Sequence, residues 1–570
     1  MRRGVGAGRP ETERPAASKI GTFPGNEKAE NTPYGAGSDP PALRATVTEP
    51  DIAPWPLPTP DPARPPGRAP LGDMPPDELR RHLDRVADWA AAYGRRLDAT
   101  PGDPAALPVA PPVLPGDVRS ALPAHGPERG EPMADVLDLF ERAIAPGLTH
   151  GSHPSFFAYF TATTSGPAVL AETLAAATNV NTMLWRTGPA AAELDAAALG
   201  WLREWVGLPD TFWGTLTEGG SSSTLHALAA ARQDALGPAL RTGGVAAADP
   251  GGRLRLYATA LTHSSVDKAA VLLGLGADAV RRVPHDGAFR MDPDALDRMV
   301  AEDRAAGLRP FCVVATAGTT ACTSVDPLAD VADIAERRGL WLHVDAAHGG
   351  PLAVLPEARP LFAGWDRADS VTMNPHKWLF VPLGCGALYT RRPDALRAAF
   401  SLVADYLETD DGAENAMDTG VALGRRWNGL KLAFCLRYFG RAGYAARFRE
   451  HVRLARLFAG WVRAEPGFAL AAPVPMSTVC FRASPAGLPG PEADALNGRL
   501  LAAVNGTGRA FLSPTRLDGR LVLRLVVSGL RVREADVRAA WGLVRAVLPT
   551  VVDGTGAALG RPQRASDAAL

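Results

Sequence analysis

Through the middle of the chain, short apolar runs alternate with longer amphipathic stretches. LRLYAT (254–259), PFCVVAT (310–316), LWLHVDA (340–346) and SVTM (370–373) are brief and rich in β-branched residues, as buried strands are. Between them, DPDALDRMVAEDRAAG (292–307) and DPLADVADIAERRG (326–339) open on Asp-Pro and repeat apolar positions at helical spacing. Strands alternating with helices over residues 151–405 predict a large α/β domain. Its sheet should be mostly parallel with right-handed crossovers, and ligands should bind beyond the carboxyl ends of its strands. Upstream, 73–150 reads as a helical segment. One helix spans PPDELRRHLDRVADWAAAYGRRL (75–97), with Leu79, Leu83, Val86, Ala90 and Tyr93 on one face, and a second spans MADVLDLFERAIAPGL (133–148). Downstream, 406–550 combines long Arg-rich helices (LKLAFCLRYFG, REHVRLARLFAGWVRAEPG) with strands at STVCFRA (477–483) and RLVLRLVVS (520–528), a smaller α+β domain.

The two ends differ from this pattern. Residues 1–72 are rich in Pro and Gly, and in DIAPWPLPTPDPARPPGRAP (51–70) the prolines remove donors and fix φ. That extension and the tail 551–570 are expected to be disordered. MRRGVGAGRP is basic but no apolar core follows it, so it does not read as a secretory signal.

Bulk composition narrows the function classes. The 570 residues, 46% hydrophobic and 21% charged, suit a soluble globular protein of about two domains. Sixty Lys+Arg against 61 Asp+Glu leave a formal charge of -1, which offers no footprint for nucleic acid or an acidic membrane surface. There is no apolar run of the roughly 18 residues that a membrane helix needs. Cys312, Cys322, Cys385, Cys435 and Cys480 are scattered without a CxxC pair, against a disulfide framework and a zinc site, so a reducing, cytoplasmic location is expected.

Four short motifs carry candidate chemistry, each at the end of a strand. In TEGGSSSTLHALAAAR (217–232) a Gly-Gly-Ser turn precedes an Ala-rich helix, whose free N–H groups make an anion site. THSSVDKAA (262–270) puts His263 and a serine pair before another helix. WLHVDAAHGG (341–350) ends an apolar strand on Asp345, a carboxylate that calls for a cation or a protonated heterocycle if buried. NPHK (374–377) ends the next strand, and Lys377 stands between His376 and Trp378. Taken singly, each has an ordinary structural reading: a cap, a capping neighbour, an Arg partner, a lysine reaching out to solvent. Jointly they provide an anion cradle, a flat group to stack on a ring, an acid for a ring nitrogen and an amine for an aldehyde. Pyridoxal 5'-phosphate has the four matching features. A metal is not expected, because His343 and Asp345 share one strand face whereas His348 lies in the following turn.

These motifs, with HPSFFAYF (153–160), TAGTTACTSVDPL (316–328) and LGRRWNGLKLAF (423–434), occur in the order seen in group II pyridoxal-phosphate decarboxylases. Over about residues 74–550 the chain most resembles the aromatic-L-amino-acid decarboxylases, bacterial branch. The resemblance implies the fold-type I, aspartate-aminotransferase-like architecture, working as a homodimer with active sites at the subunit interface. It implies that Lys377 forms the Schiff base, that Asp345 pairs the pyridine nitrogen and that His263 stacks on the ring. Ser221, the Gly220 backbone and Asn374 would bind the phosphate, and Thr320, Ala347 and His376 would line the cofactor. Tyr159 and Phe160 would border a pocket for an L-amino acid, with Asn181, Met183 and Trp185 nearby. An aromatic substrate leads, since Trp185, Tyr159 and Phe160 offer stacking surface.

The chain departs from the family pattern in the loop ETDDGAENAMDTGVALGRR (408–426). In the aromatic decarboxylases this loop carries a tyrosine that protonates Cα, but Thr419 stands where related bacterial sequences show Asp-Tyr-Gly. An alcohol is a poorer acid than a phenol. Tyr406, a water or His263 are the alternative donors. In this family, loss of the tyrosine is associated with reaction of the carbanion with O2 to give an aldehyde. Amine formation is therefore the first expectation, aldehyde formation the second, and a non-catalytic relative the third. Glu218 adds a further departure, placing a carboxylate next to the anion turn unless it points away.

Overall fold

The computed structural model describes residues 72–99, 106–160, 163–402, 413–485 and 488–552. The expected disorder of 1–71 and 553–570, and Tyr406, lie outside the described residues. From Pro75 onward the chain gathers into one compact unit, organised around two sheets.

The larger sheet contains β1 (Trp213–Thr217), β2 (Leu254–Thr259), β3 (Val280–Val283), β4 (Arg309–Thr316), β5 (Trp341–Asp345), β6 (Ser370–Met373) and β7 (Gly386–Thr390), in the order β1-β7-β6-β5-β4-β2-β3. β7 runs antiparallel to both β1 and β6, and the other pairings are parallel. This is the mixed, mostly parallel α/β sheet of the fold-type I architecture. Its central strands are buried on both faces, which is why they read as continuous apolar runs in the sequence. Each fully covered Val or Leu contributes roughly 1.5–3 kcal/mol. The sequence pattern placed β2, β4, β5 and β6 within a residue or two. β1 (WGTLT) and β7 (GALYT) carry glycine and threonine in place of an apolar run, and cross-strand pairing at the sheet edge makes them strands.

A second, antiparallel sheet follows in the order β10-β11-β9-β8, with β8 (Phe468–Leu470), β9 (Thr478–Ala483), β10 (Ser513–Leu517) and β11 (Arg520–Val526). Residues 156–157 lie along it: the Phe157 amide donates to the Phe511 carbonyl, and the Val526 amide donates to the Phe157 carbonyl. The second sheet thereby delivers Tyr159 and Phe160 to the carboxyl edge of the first.

Two helical segments differ from expectation for identifiable reasons. Residues 133–148 form an α-helix only over Met133–Leu139 and then pass through a π turn (Phe140–Ile144) into a 3₁₀ turn (Ala145–Gly147) at Pro146, which has no N–H to give. The two Arg-rich segments form one 36-residue helix, Gly429–Ala464, kinked at Gly440 where φ is +63°. The helix Pro76–Asp98 forms as expected, but Leu79, Leu83 and Val86 remain 48%, 40% and 45% exposed, so among the described residues most of its apolar face has no cover.

Candidate active site

Five chain segments leave the large sheet at the same edge. β1 ends at Thr217 and turns through Gly219 into the helix Gly220–Leu236. β2 leads to His263 and the helix Ser265–Leu272, β4 to Gly318 and Thr320, β5 to Asp345, and β6 to Asn374 and the single helical turn Pro375–Trp378. Together they enclose a cavity of about 360 Å³, within the range of small-molecule sites. Of the residues singled out from the sequence, Lys377, Asp345, His263, Gly220, Ser221, Thr320, Ala347, Asn374, His376 and Phe160 all line it.

The electrostatics of the cavity follow from burial. Lys377 sits on the helical turn, not at the strand end itself, and desolvation pushes its ammonium below the usual 10.5, with Asp345 opposing and Arg524 adding to the shift. A lysine eased toward its neutral form is a better nucleophile for a carbonyl. Asp345 is 7% exposed, and its Oδ1 accepts the Ala347 amide at 3.0 Å, which ties the carboxylate to the turn beyond β5. The His263 Nδ1 accepts the Ser265 amide at 3.1 Å, leaving the neutral ring's proton on Nε2. Burial favours that neutral ring, with Asp345 opposing. His376 is held neutral in the same way, down to about 4, and its Nδ1 accepts the Cys385 amide.

The anion cradle can be tested on its own geometry. Gly219 has φ +151°, and a Cβ there would come within 2.9 Å of His376 Cε1; a Cβ on Gly220 would come within 2.9 Å of Asn374 Nδ2. Only glycines let the turn close down this far. The amides that open the helix Gly220–Leu236 then point at the cavity, where a helix N-terminus favours an anion by roughly 0.3–2 kcal/mol. Asn374 is 3% exposed, and its Nδ2, the donor of the amide, lies against the turn at Gly220. These features, with an amine and a carboxylate in the same cavity, fit pyridoxal phosphate. Lys377 would hold its aldehyde carbon, Asp345 its ring nitrogen, and the cradle its phosphate.

One wall of the cavity is an aromatic column. The Phe160 ring stacks on His348 (centroids 3.8 Å apart), and His348 stacks on Trp378 (4.6 Å). The Lys377 amine lies 5.1 Å and the Arg524 guanidinium carbon 4.5 Å from the Phe160 centroid. His348 was considered from the sequence only as a metal ligand. Among the described residues no cluster of three His, Cys, Asp or Glu is arranged for a metal. The structure also adds Ser222, Ser265, Gly318 and Leu383 to the lining. Ser265 was visible in the HSS motif, whereas nothing local marked Leu383.

The remaining candidates lie elsewhere in this chain. Tyr159 is 61% exposed with a left-handed φ of +56°, and its carbonyl accepts from Arg524. Trp185 lines a neighbouring cavity of about 660 Å³, which shares Glu218 and Leu383 with the first, so Glu218 does face the site. Asn181 Oδ1 accepts the Met183 and Arg425 amides, and Met183 packs beside Leu184 and Met417. Thr419 is 1% exposed, and its hydroxyl donates to the Ala416 carbonyl at 2.9 Å, away from Lys377.

Comparison with known proteins agrees with this geometry. Residues 115–484 match the pyridoxal-dependent decarboxylase conserved domain. The aromatic-L-amino-acid decarboxylase of Sus scrofa is 37% identical over 486 residues, covering 82% of this chain and 96% of the relative. The crystal structure of Oryza sativa TDC with PLP and tryptamine superposes with a TM-score of 0.79 at 33% identity, covering 85% of this chain and 99% of that one. That of Rhodiola rosea 4-hydroxyphenylacetaldehyde synthase superposes at 0.76 and 30% identity, covering 84% and 99%. The chain therefore belongs to the pyridoxal-dependent decarboxylases, among homologues of the aromatic-L-amino-acid decarboxylases, and is a carboxy-lyase that uses pyridoxal 5'-phosphate.

Proposed function

We propose that this protein converts an aromatic L-amino acid to its amine and CO2. The observation that carries the reading is the single cavity where Lys377, Asp345, His263 and the opening of the helix Gly220–Leu236 converge. When bound, pyridoxal phosphate supplies an aldehyde for the substrate amine and an electron sink for the charge left at Cα as CO2 departs. Lys377 presents a partly desolvated amine that would hold the cofactor's aldehyde carbon and could carry protons at the same place. Asp345 keeps a proton on the ring nitrogen, which is what makes the sink effective. His263 would cover one ring face, while Ser221, the Gly220 backbone and Asn374 would hold the phosphate. Thr320, Ala347 and His376 close the remaining wall. The flat Phe160 surface, backed by His348, supports an aromatic side chain, as does the similarity to aromatic decarboxylases.

Return of a proton to Cα needs an acid. The Thr419 hydroxyl is sealed against Ala416 and Thr215, which argues against it. The phenol that remains near this stretch of sequence is Tyr406, and we assign it the task. With purified, cofactor-loaded enzyme in air and a panel of L-amino acids, CO2, amine, aldehyde and peroxide are measured together. Tyr406→Phe is expected to lower amine formation by about 10²-fold or more and to raise aldehyde and peroxide. Thr419→Val should leave the product ratio unchanged. Unaltered products in Tyr406→Phe would eliminate it as the acid.

The similarity to the Rhodiola rosea aldehyde synthase favours a second reading, in which the unmodified enzyme consumes O2 and water and releases aldehyde, CO2, ammonia and peroxide. Aldehyde from the wild type in the same assay would select it.

A second copy of the chain completes the reading. Leu79, Leu83 and Val86 on the first helix, Leu170 and Leu174 on the helix Gly166–Thr178, and Leu383, Val421 and Leu423 are all exposed, apolar surface that a second copy would cover. The double variant Leu170→Glu, Leu174→Glu should sediment as a monomer and lose most activity, and an unchanged dimer would rule this surface out. A cytoplasmic setting is part of the same proposal, supported by five free cysteines, all buried. Among the described residues no helix is long and apolar enough to cross a membrane.

A further inference from the structure

Behind Asp345 the sheet carries a buried polar chain. Trp341, His343 and Asp345 alternate along β5 and so share one face, the face covered by the helix Gly220–Leu236, whose Ala227–Ala231 pack with Trp341. On β6, Ser370 is the register partner of His343, and Thr372 is the partner of Asp345. The Trp341 indole N–H donates to Ser370 Oγ at 2.9 Å, and Ser370 Oγ lies 2.8 Å from His343 Nδ1. An indole can only donate, so Ser370 accepts from Trp341; among the described contacts the acceptor left for the serine's own proton is Nδ1. The proton of the neutral His343 ring must then sit on Nε2. That Nε2 is fully buried and, among the described residues, has no hydrogen-bond partner. An orphaned buried donor costs about 1–3 kcal/mol and calls for a reason.

Asp345 is the carboxylate two residues further along the same face of β5. Burial holds His343 neutral, to about 4, and the charge acting against that burial is Asp345's. The Thr316 and Thr372 hydroxyls, which flank Asp345 in register on β4 and β6, are also buried without partners. From the other elements, His263 and Lys377 face the same carboxylate. The site is therefore built around an acceptor that has to be fixed at one spot.

We propose that His343 is a positioning residue for Asp345, its Nε2–H, oriented by Ser370 and Trp341, anchoring the carboxylate from behind so that it holds the proton on the cofactor's ring nitrogen. The inference rests on Asp345 as the partner of that nitrogen, and the test separates the two. Wild type, His343→Leu, His343→Gln, Ser370→Ala and Asp345→Asn are loaded with pyridoxal phosphate labelled with ¹⁵N in the ring. The ring-nitrogen shift is followed against pH, and cofactor affinity is measured by equilibrium titration. His343→Leu should weaken cofactor binding by about tenfold, as loss of an outer-shell partner does at metal sites. It should also bring loss of the ring proton to lower pH by about one unit, equivalent to a tenfold change. His343→Gln, whose amide nitrogen can replace Nε2–H, should recover most of both.

If Asp345→Asn leaves the ring nitrogen unchanged, the assignment of Asp345 fails. If Asp345→Asn deprotonates the ring but His343→Leu behaves as wild type, the proposal for His343 is overturned. Should His343→Leu not fold, Ser370→Ala decides: the proton of His343, read from its own ¹⁵N shifts, should redistribute toward Nδ1, and the ring midpoint should move in the same direction by a smaller amount. No movement of either would overturn the proposal equally.

Discussion

Lys377→Ala is expected to lose turnover by roughly 10⁴-fold or more, the scale of removing a group that acts both as nucleophile and in proton transfer. It should also lose the visible absorbance of covalently held cofactor and the fixation of that cofactor by borohydride. The reason is local. Lys377 is the lysine of the cavity, and burial pushes its ammonium below 10.5. The sign gives a companion measurement. A depressed lysine pKa leaves more free amine at a given pH, so covalent capture of pyridoxal phosphate by the apoenzyme should rise with pH and level off below the range of an ordinary lysine. Capture that still climbed through pH 10.5 would show that the amine is not desolvated in solution. A Lys377→Ala enzyme with full activity would end the functional reading altogether.

Asp345→Asn should keep covalently bound cofactor yet lower kcat by about 10²–10³-fold, the usual result of removing one preorganised electrostatic partner. The amide is nearly isosteric and can still accept the Ala347 N–H that ties this side chain to the turn, so the geometry survives while the charge opposite the ring nitrogen does not. The loss should fall on kcat more than on KM, because a neutral partner weakens the sink and not the grip on the substrate. An equal rise in KM with kcat intact would mean that Asp345 only positions the cofactor. The comparison with Lys377→Ala distinguishes a residue that forms the bond from one that tunes the ring.

Much of the site was legible because its residues end strands. A strand buried on both faces must be apolar, and the turn that follows must carry whatever faces the ligand. Asp345 after WLHV and Lys377 after SVTMNPH therefore stand out against their surroundings. Gly219 and Gly220 were legible for a related reason: a turn this close to Asn374 and His376 excludes a Cβ, so the chain spells it with glycine. Trp185, Asn181, Met183 and Thr419 were less informative, because their place depends on contacts more than 200 residues away, such as Trp185 to Asn415, and sequence proximity to a motif does not report such contacts.

By itself the sequence determined the alternation of strands and helices, the parallel core of the large sheet, the cofactor implied by four strand-end motifs, and which lysine to look for in the cavity. All of these depend on local periodicity or on one residue's chemistry. The tertiary structure decided what depends on distant segments meeting. Pairing at the sheet edge turned WGTLT and GALYT into β1 and β7. Contact with the second sheet set Phe160 against His348 and left Tyr159 outside. A hydroxyl on the neighbouring strand came within 2.8 Å of the His343 ring. Backbone pattern is written over a few residues, whereas the direction of a side chain and the partner of a proton are settled by whichever atoms the fold brings within about 3 Å.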